Sequence, residues 1–267
     1  MSQGWLMFMV WNFDPILISF LKFNIHWYGV LFASAIFIGF QIMKRFYINE
    51  RVSLESLDAL LIYCVVGIVV GARLGHCIFY DPQYYFTNIL RIFAIWEGGL
   101  ASHGGGIGVA AAVFFYAKKY KVKLFWIVDR LTIPTALFGF FVRIANFLNS
   151  EILGKPSNEP WAIVFKRIDD IPRHPVQLYE SLAYCFVLIL LSVLYRFIRM
   201  KEQSGILLGV FLCAIFSARF LLEFFKEKQA VYESELILTT GQMLSIPFLL
   251  VGIFLLILPK VKRGIKM

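Results

Sequence analysis

The run "RIANFLNSEILG" (143–154) follows the apolar run "LTIPTALFGFFV" without a break, placing Arg143, Asn146, Asn149 and Glu151 at the end of a stretch suited to lipid. An ionisable side chain near the centre of a membrane-crossing helix costs ~2.5–3.5 kcal/mol on insertion scales, so such residues are where function is sought first. Arg219 and Glu223 stand at i, i+4 in a second apolar run, a spacing that puts both on one helix face. His103 opens a third, in "ASHGGGIG", where Gly104 and Gly105 allow close approach of a ligand to a helix start, whose free N–H groups attract anions. Two guanidinium forks suit a phosphate, and the phosphate of a lipid is the anion available at that depth. Structural readings stand beside this one. Arg219 and Glu223 would neutralise each other, His103 would bond backbone at a helix start, and Arg143 with Asn146 would cap a span.

Elements that position these groups follow from composition. The 267-residue chain is 60% hydrophobic and only 16% charged, against roughly 25% charged in a soluble domain. Runs long enough to cross a bilayer, roughly 20 residues each, recur at about 25–43, 57–80, 99–117, 124–147, 176–195, 205–225 and 238–258. The expected fold is therefore an all-α integral membrane protein of seven transmembrane helices, a single polytopic domain over residues 1–267. Closed barrels are the other way to satisfy the backbone in lipid, but their strands would alternate in polarity.

The net charge of +9 raises the question of nucleic acid, and its distribution answers it. Lys44, Arg45 and Arg51, then Lys118, Lys119, Lys121 and Lys123, then Arg196, Arg199 and Lys201, and finally Lys260, Lys262, Arg263 and Lys266 gather in alternate connections. By the positive-inside rule those connections and the C-terminus are cytoplasmic and the N-terminus is outside, with no nucleic acid needed. That orientation puts His103, the 143–154 run and the Arg219/Glu223 pair in the outer half of the bilayer.

No cleavable signal peptide is expected in "MSQGWLMFMVWNFDP". The segment "FDPILISFLKF" (13–23) is expected to be an interfacial helix. Gly67, Gly71 and Gly75 form a smooth strip for helix packing. Residues 155–173, which include the strand-like "WAIVF", are expected to make a small extracytoplasmic arm or cap. Arg73 reads as paired or snorkelling, Asp129 with Arg130 as structural, and Cys64, Cys77, Cys185 and Cys213 as small core residues without disulfides. Histidines 26, 76, 103 and 174 lack metal-ligand spacing, so no metal or soluble cofactor is expected.

These residues resemble the bacterial prolipoprotein diacylglyceryl transferases. The family signature Gly-Arg-x-Gly/Ala-Asn-Phe-x-Asn-x-Glu-x-x-Gly is met by Arg143, Ala145, Asn146, Phe147, Asn149, Glu151 and Gly154, with Val142 at its leading glycine. The resemblance extends to "HWYG" (26–29), "GARLGHCIFY" (71–80), "WEGGLASHGG" (96–105), "PRHPVQLYE" (172–180), "RFLLEFF" (219–225) and "GQMLSIP" (241–247). It implies transfer of diacylglyceryl from phosphatidylglycerol to the lipobox cysteine thiol of a prolipoprotein, forming a thioether and releasing glycerol 1-phosphate. The setting it implies is the bacterial plasma (inner) membrane, among membrane lipids, with the active site facing the extracytoplasmic side.

A thiol of pKa near ~8.5 is mostly protonated at neutral pH, and His103 is the candidate base. Arg143 and Arg219 would hold the phosphate as the carbon–oxygen bond breaks. Glu223 would position Arg219, and Asn146 and Glu151 would orient headgroup or arginine. By similarity Tyr28 and Gly154 join the essential set, with His174 and Gln177 as contributors. A transporter or channel would need polar groups along the whole depth. A lipid-binding scaffold would need the arginines but not His103.

Overall fold

The structure, a computed structural model of the chain, describes residues 8–20, 23–197, 205–228 and 238–257. In chain order its elements are strands β1 (Met9–Trp11), β2 (Ile16–Phe20) and β3 (Phe23–His26), helices α1 (Trp27–Asn49), α2 (Leu54–Phe79) and the short α3 (Pro82–Thr87), and two 3-10 turns, Ile89–Phe93 and Ile95–Glu97. Then come α4 (Ser102–Lys119), α5 (Leu124–Leu148), β4 (Ile163–Phe165), β5 (Pro172–Arg173), α6 (Val176–Phe197), α7 (Ile206–Leu222) with a 3-10 turn at Glu223–Phe225, and α8 (Thr240–Ile257).

Among the described residues six helices are long and apolar enough to cross a membrane: α1, α2, α5, α6, α7 with its 3-10 turn, and α8. Five match an expected span to within three residues at each end, and α1 runs six residues beyond its expected end at 43. The third expected span is α4, a helix of 18 residues that does not join the six. Ser102, His103 and three glycines at one end and Lys118 and Lys119 at the other dilute its apolar middle. Lys22, Arg199, Lys201 and the basic tail from Lys260, on which the expected sidedness partly rests, lie outside the described residues.

The chain folds as two compact units, one of Met1–Gly39 with Leu131–Met267 and one of Phe40–Arg130. In the second unit α2 and α4 meet backbone to backbone. A Cβ added at Gly71 would come 2.7 Å from the Cα of Gly108, and one at Gly75 2.7 Å from the Cα of Gly104. The expected glycine strip of α2 thus meets a matching strip, Gly104, Gly108 and Ala112, on α4. Small residues at this spacing let two helices close on each other where lipid supplies no hydrophobic drive. Beside the seam runs an apolar groove of about 590 Å³, lined by residues such as Ile62, Val66, Ile78, Ile107 and Phe115.

Arg73 does not snorkel and, among the described residues, meets no carboxylate. It is buried and donates from Nε to the carbonyl of Ile92 at 2.8 Å and from its terminal nitrogens to those of Gly98 at 2.6 Å and Arg91 at 2.5 Å, with Tyr85 under the guanidinium. One cation thereby satisfies the backbone of the turn that leads into α4, because Gly98 and Gly99 hold φ of 85° and 71° and present their carbonyls to it. Arg130 forks onto Glu50 (3.0 and 2.7 Å), to which the Trp126 indole also donates at 2.6 Å, in keeping with a structural role.

In the first unit β1 pairs parallel to β4, and β4 antiparallel to β5. Phe147, Ile163 and Phe165 form a small core under this sheet, with Trp11, Leu148, Leu153 and Leu178 packed against it. The expected strand in "WAIVF" is β4, anchored by the end of α5. The expected interfacial helix over 13–23 is instead the antiparallel hairpin β2–β3. Helices shorter than about 12–15 residues are marginal without packing, whereas β-branched Ile16 and Ile18 favour strands and Phe23–His26 supplies the pairing partner. The strand also delays the start of α1 to Trp27, whose N–H bonds the Pro15 carbonyl at 2.9 Å. All four cysteines are free and lie within α2, α6 and α7.

The α2–α4 seam yields a paired test. Gly71→Val, which forces a side chain into backbone, should lower the thermal unfolding midpoint of the detergent-solubilised protein, at an overpacking cost of ~1–3 kcal/mol or more. Gly106→Ala, on the same helix as Gly104 but with nothing within 4 Å of an added Cβ, should leave the midpoint unchanged or raise it.

Candidate active site

Arg143 leaves α5 about a turn before its end, and its Nε lies 2.9 Å from Oε2 of Glu180 on α6. The other oxygen of Glu180 faces Nζ of Lys226 at 2.8 Å, and that ammonium also lies 3.1 Å from Oε2 of Glu223. The result is a chain of alternating charge, Arg143–Glu180–Lys226–Glu223, tying the end of α5, the start of α6 and the segment after α7. Glu180 is only 1% exposed and sits at ion-pair distance from both cations but off the hydrogen-bond direction of each. In such surroundings a carboxylate without a cation would be strongly destabilising.

A second chain runs along the signature. Arg143 Nη1 donates to Asn146 Oδ1 at 3.3 Å, Asn146 Nδ2 donates to Glu151 Oε2 at 2.9 Å, and Asn149 Nδ2 to Glu151 Oε1 at 3.1 Å. Asn146 thus relays between the arginine and the glutamate. The turn that brings Glu151 back holds Ser150 and the β-branched Ile152 at φ of 57° and 55°, left-handed values uncommon outside glycine. Buried Gln177 anchors this turn by donating to the Glu151 carbonyl. Tyr28, on α1, is near enough to Glu151 and Arg143 to interact with both charges, and Tyr184 hydrogen-bonds the Arg143 guanidinium.

Gly154 is a close-packing position. A Cβ there would strike the His174 carbonyl and come 2.7 Å from Val176 Cγ2, because residues 154–156 run between 172–174 and 225–227. Arg173 locks this arrangement. It is buried, with Nη2 2.6 Å from Asp169 and Nη1 2.8 Å from Glu227 and 3.3 Å from the Gly154 carbonyl. His174 Nδ1 lies 3.2 Å from the Tyr179 hydroxyl, which accepts from Trp161 at 2.7 Å, and its ring packs edge-on to Phe225.

The expected Arg219–Glu223 pair does not form. α7 ends at Leu222 and Glu223 opens a 3-10 turn, whose three-residue repeat carries Lys226, at i+3, round to Glu223 instead. Among the described residues the half-buried guanidinium of Arg219 meets no carboxylate. Arg143, Asn146, Glu151, Gly154, His174, Gln177, Arg219, Glu223 and Tyr28 all belong to the first unit. His103 belongs to the second, where it falls in the first turn of α4. Gly104 is occupied by the contact with α2, whereas Gly105 meets only Ala72 and Ile68 at ordinary distances.

Sequence reasoning missed Glu180, Lys226 and Arg173. Glu180 was the findable one, since a carboxylate one turn into an apolar span calls for a cation.

A chain with several bilayer-length apolar helices, and paired charges buried where three of them end, is a multi-pass membrane protein with a built polar site. It belongs to the prolipoprotein diacylglyceryl transferase family, whose model matches residues 15–258. It is similar to the phosphatidylglycerol–prolipoprotein diacylglyceryl transferases of Tolumonas auensis (49% identical, covering 94% of this chain and 97% of that one) and Chloroherpeton thalassium (43%, 96% of each). A relative of the same name from Porphyromonas gingivalis is 42% identical over 94% of each chain.

The hydrogen bond from Arg173 holds the Asp169 carboxyl below the usual carboxylate range, and the same bond raises Arg173. A depressed carboxyl stabilises the fold above its unfolded value, about 3.9, and that contribution is lost only as pH falls through the depressed value. Residues 155–175 should therefore resist limited proteolysis equally at pH 7 and pH 5. Asp169→Asn should be nicked there faster at pH 7. Equal resistance of the variant would show that Arg173 does not need this partner.

Proposed function

We propose that the protein transfers diacylglyceryl from phosphatidylglycerol to the lipobox cysteine thiol of a prolipoprotein, the first step of lipoprotein maturation. The observation that carries this reading is the joining of the signature residues Arg143, Asn146 and Glu151 into one hydrogen-bonded cluster, in a chain that belongs to the transferase family.

In the reaction the thiol gives its proton to His103, sulfur bonds to the glyceryl carbon, and the carbon–oxygen bond to phosphate breaks. Glycerol 1-phosphate leaves with the electron pair. Arg143 is ion-paired with Glu180 at Nε and donates from Nη1 to Asn146, and Arg219 has its fork unspent by any described carboxylate. Two such groups stabilise charge that grows on the phosphate as the bond breaks. Asn146 and Glu151 align Arg143, Gln177 fixes the Glu151 turn, and Glu223 acts through Lys226 rather than through Arg219. The acceptor brings its own nucleophile, so no enzyme cysteine takes part.

The same reading takes α4 as a seventh span, its ~27 Å length packed along α2. It sets the N-terminus and the 155–173 arm outside the plasma membrane, and the site on that side.

Purified protein with phosphatidylglycerol vesicles and a lipobox peptide should yield the thioether, read by mass spectrometry. His103→Gln should lose at least ~10²-fold in rate with lipid binding retained. Arg219→Lys, which keeps charge but not the fork, should also lose most activity. Full turnover by His103→Gln would require another base, and absence of product from the unaltered protein would overturn the reading.

A further inference from the structure

The helix that carries His103 begins without a cap of its own. Ala101 precedes α4 in extended conformation, φ −92° and ψ 120°, and its methyl group cannot accept from the free N–H groups of the first turn. Glycines at 104, 105 and 106 follow at once and weaken that turn further. A start of this kind holds its place only if something outside the helix holds it.

The hold comes from α2, within the second unit. The Ala101 N–H bonds the Ala72 carbonyl at 2.9 Å, and Gly104 lies against Gly71 and Gly75. Arg73, the next residue along α2, takes the two glycines before Ala101: its Nη1 donates to the carbonyls of Gly98 at 2.6 Å and Gly99 at 3.3 Å. Through Nη2 and Nε the same guanidinium also bonds the carbonyls of Arg91 and Ile92. The turn is thus fastened to α2 together with the segment that leads into it. A lysine could not do this, because a single ammonium cannot reach carbonyls spread along residues 91–99 as a planar fork of five donors can. Gly99 is fitted to the clamp: its φ is 71°, and an added Cβ would come 2.9 Å from Arg73 Nη1 and 2.7 Å from the His76 ring.

A buried arginine on a membrane-crossing helix is costly enough to call for a role beyond packing. His103 lies four residues past Gly99 and two past Ala101, so the clamp places its backbone. A general base must sit within hydrogen-bond reach of its proton, and a misplacement of ~1 Å caused far from the chemistry can cost ~10²-fold in rate. We infer that Arg73 is a positioning residue of the transfer reaction: from α2 it fixes the start of α4 and acts through His103. The inference rests on the proposed function for the role of His103 as base.

Two readouts on the full-length protein in neutral detergent test it. In hydrogen exchange, Arg73→Lys should speed exchange of the amides of residues 98–105 by ~10-fold or more and leave residues 112–119 of α4 unchanged. Gly99→Ala, which presses on the clamp from the turn, should do the same and serves alone if Arg73→Lys does not fold. Unchanged exchange at 98–105 overturns the clamp, whatever the activity. In thioether formation, Arg73→Lys should lower kcat by ~10-fold or more with KM for phosphatidylglycerol within about twofold. Placed in the His103→Gln protein, whose residual rate is followed by mass spectrometry, the same substitution should cost less than about twofold, because residues that act as a unit are non-additive. An equal loss in both backgrounds would mark a merely structural arginine, and a raised KM with kcat intact would mark a binding role; either overturns the positioning. Absence of thioether from the unaltered protein would sink the proposed function and with it the positioning, while the exchange result would still decide whether Arg73 holds the start of α4.

Discussion

A carboxylate buried among apolar helices needs cations, and Glu180 has two. Its place between Arg143 and Lys226 is the constraint from which the rest of the site follows. Breaking one side of a buried pair typically costs ~3–5 kcal/mol because the remaining charge stays uncompensated. The ends of α5 and α6 and the segment after α7 are therefore bound to one another by electrostatics, where apolar packing alone would let them slide. The backbone repeats the constraint, since residues 154–156 pair with both 172–174 and 225–227, and Arg173 bonds to Gly154, Asp169 and Glu227 across that junction.

Such a frame suits phosphate chemistry. Stabilising a developing charge depends on donors that are aligned before the reaction begins, and Arg143 is held at Nε by Glu180, at Nη1 by Asn146 and by the Tyr184 hydroxyl. Arg219, by contrast, meets no described carboxylate. On the proposed function both arginines serve the phosphate, Arg143 from within the ion-paired frame and Arg219 from outside it.

Much of this was legible in the chain. Apolar runs gave the helices closely, and the glycine repeat in α2 predicted its seam because period-four small residues have few other uses in lipid. The signature gathered Arg143, Asn146 and Glu151 by local spacing alone. Partners set by tertiary structure were not legible. The Arg219–Glu223 spacing assumed that α7 continues, and a change to 3-10 geometry at Glu223 redirected the carboxylate to Lys226. Arg73 is satisfied by carbonyls of residues 91–98, which no side-chain pattern announces. The hairpin at 16–26 escaped because a short apolar run reads equally well as helix or strand until its partner is known.

Glu180 and Lys226 act as one unit in holding the site, and a double-mutant cycle measures this directly. Glu180→Gln, Lys226→Met and the double variant would be compared by thermal unfolding midpoint, in the same detergent and at the same pH. Contacting charges should couple by ~0.5–3 kcal/mol. Each single change should lower the midpoint, and the loss in the double variant should fall well short of their sum, since the second change removes a charge already left without its partner. Additive losses would contradict this, showing that the two residues stabilise the protein independently.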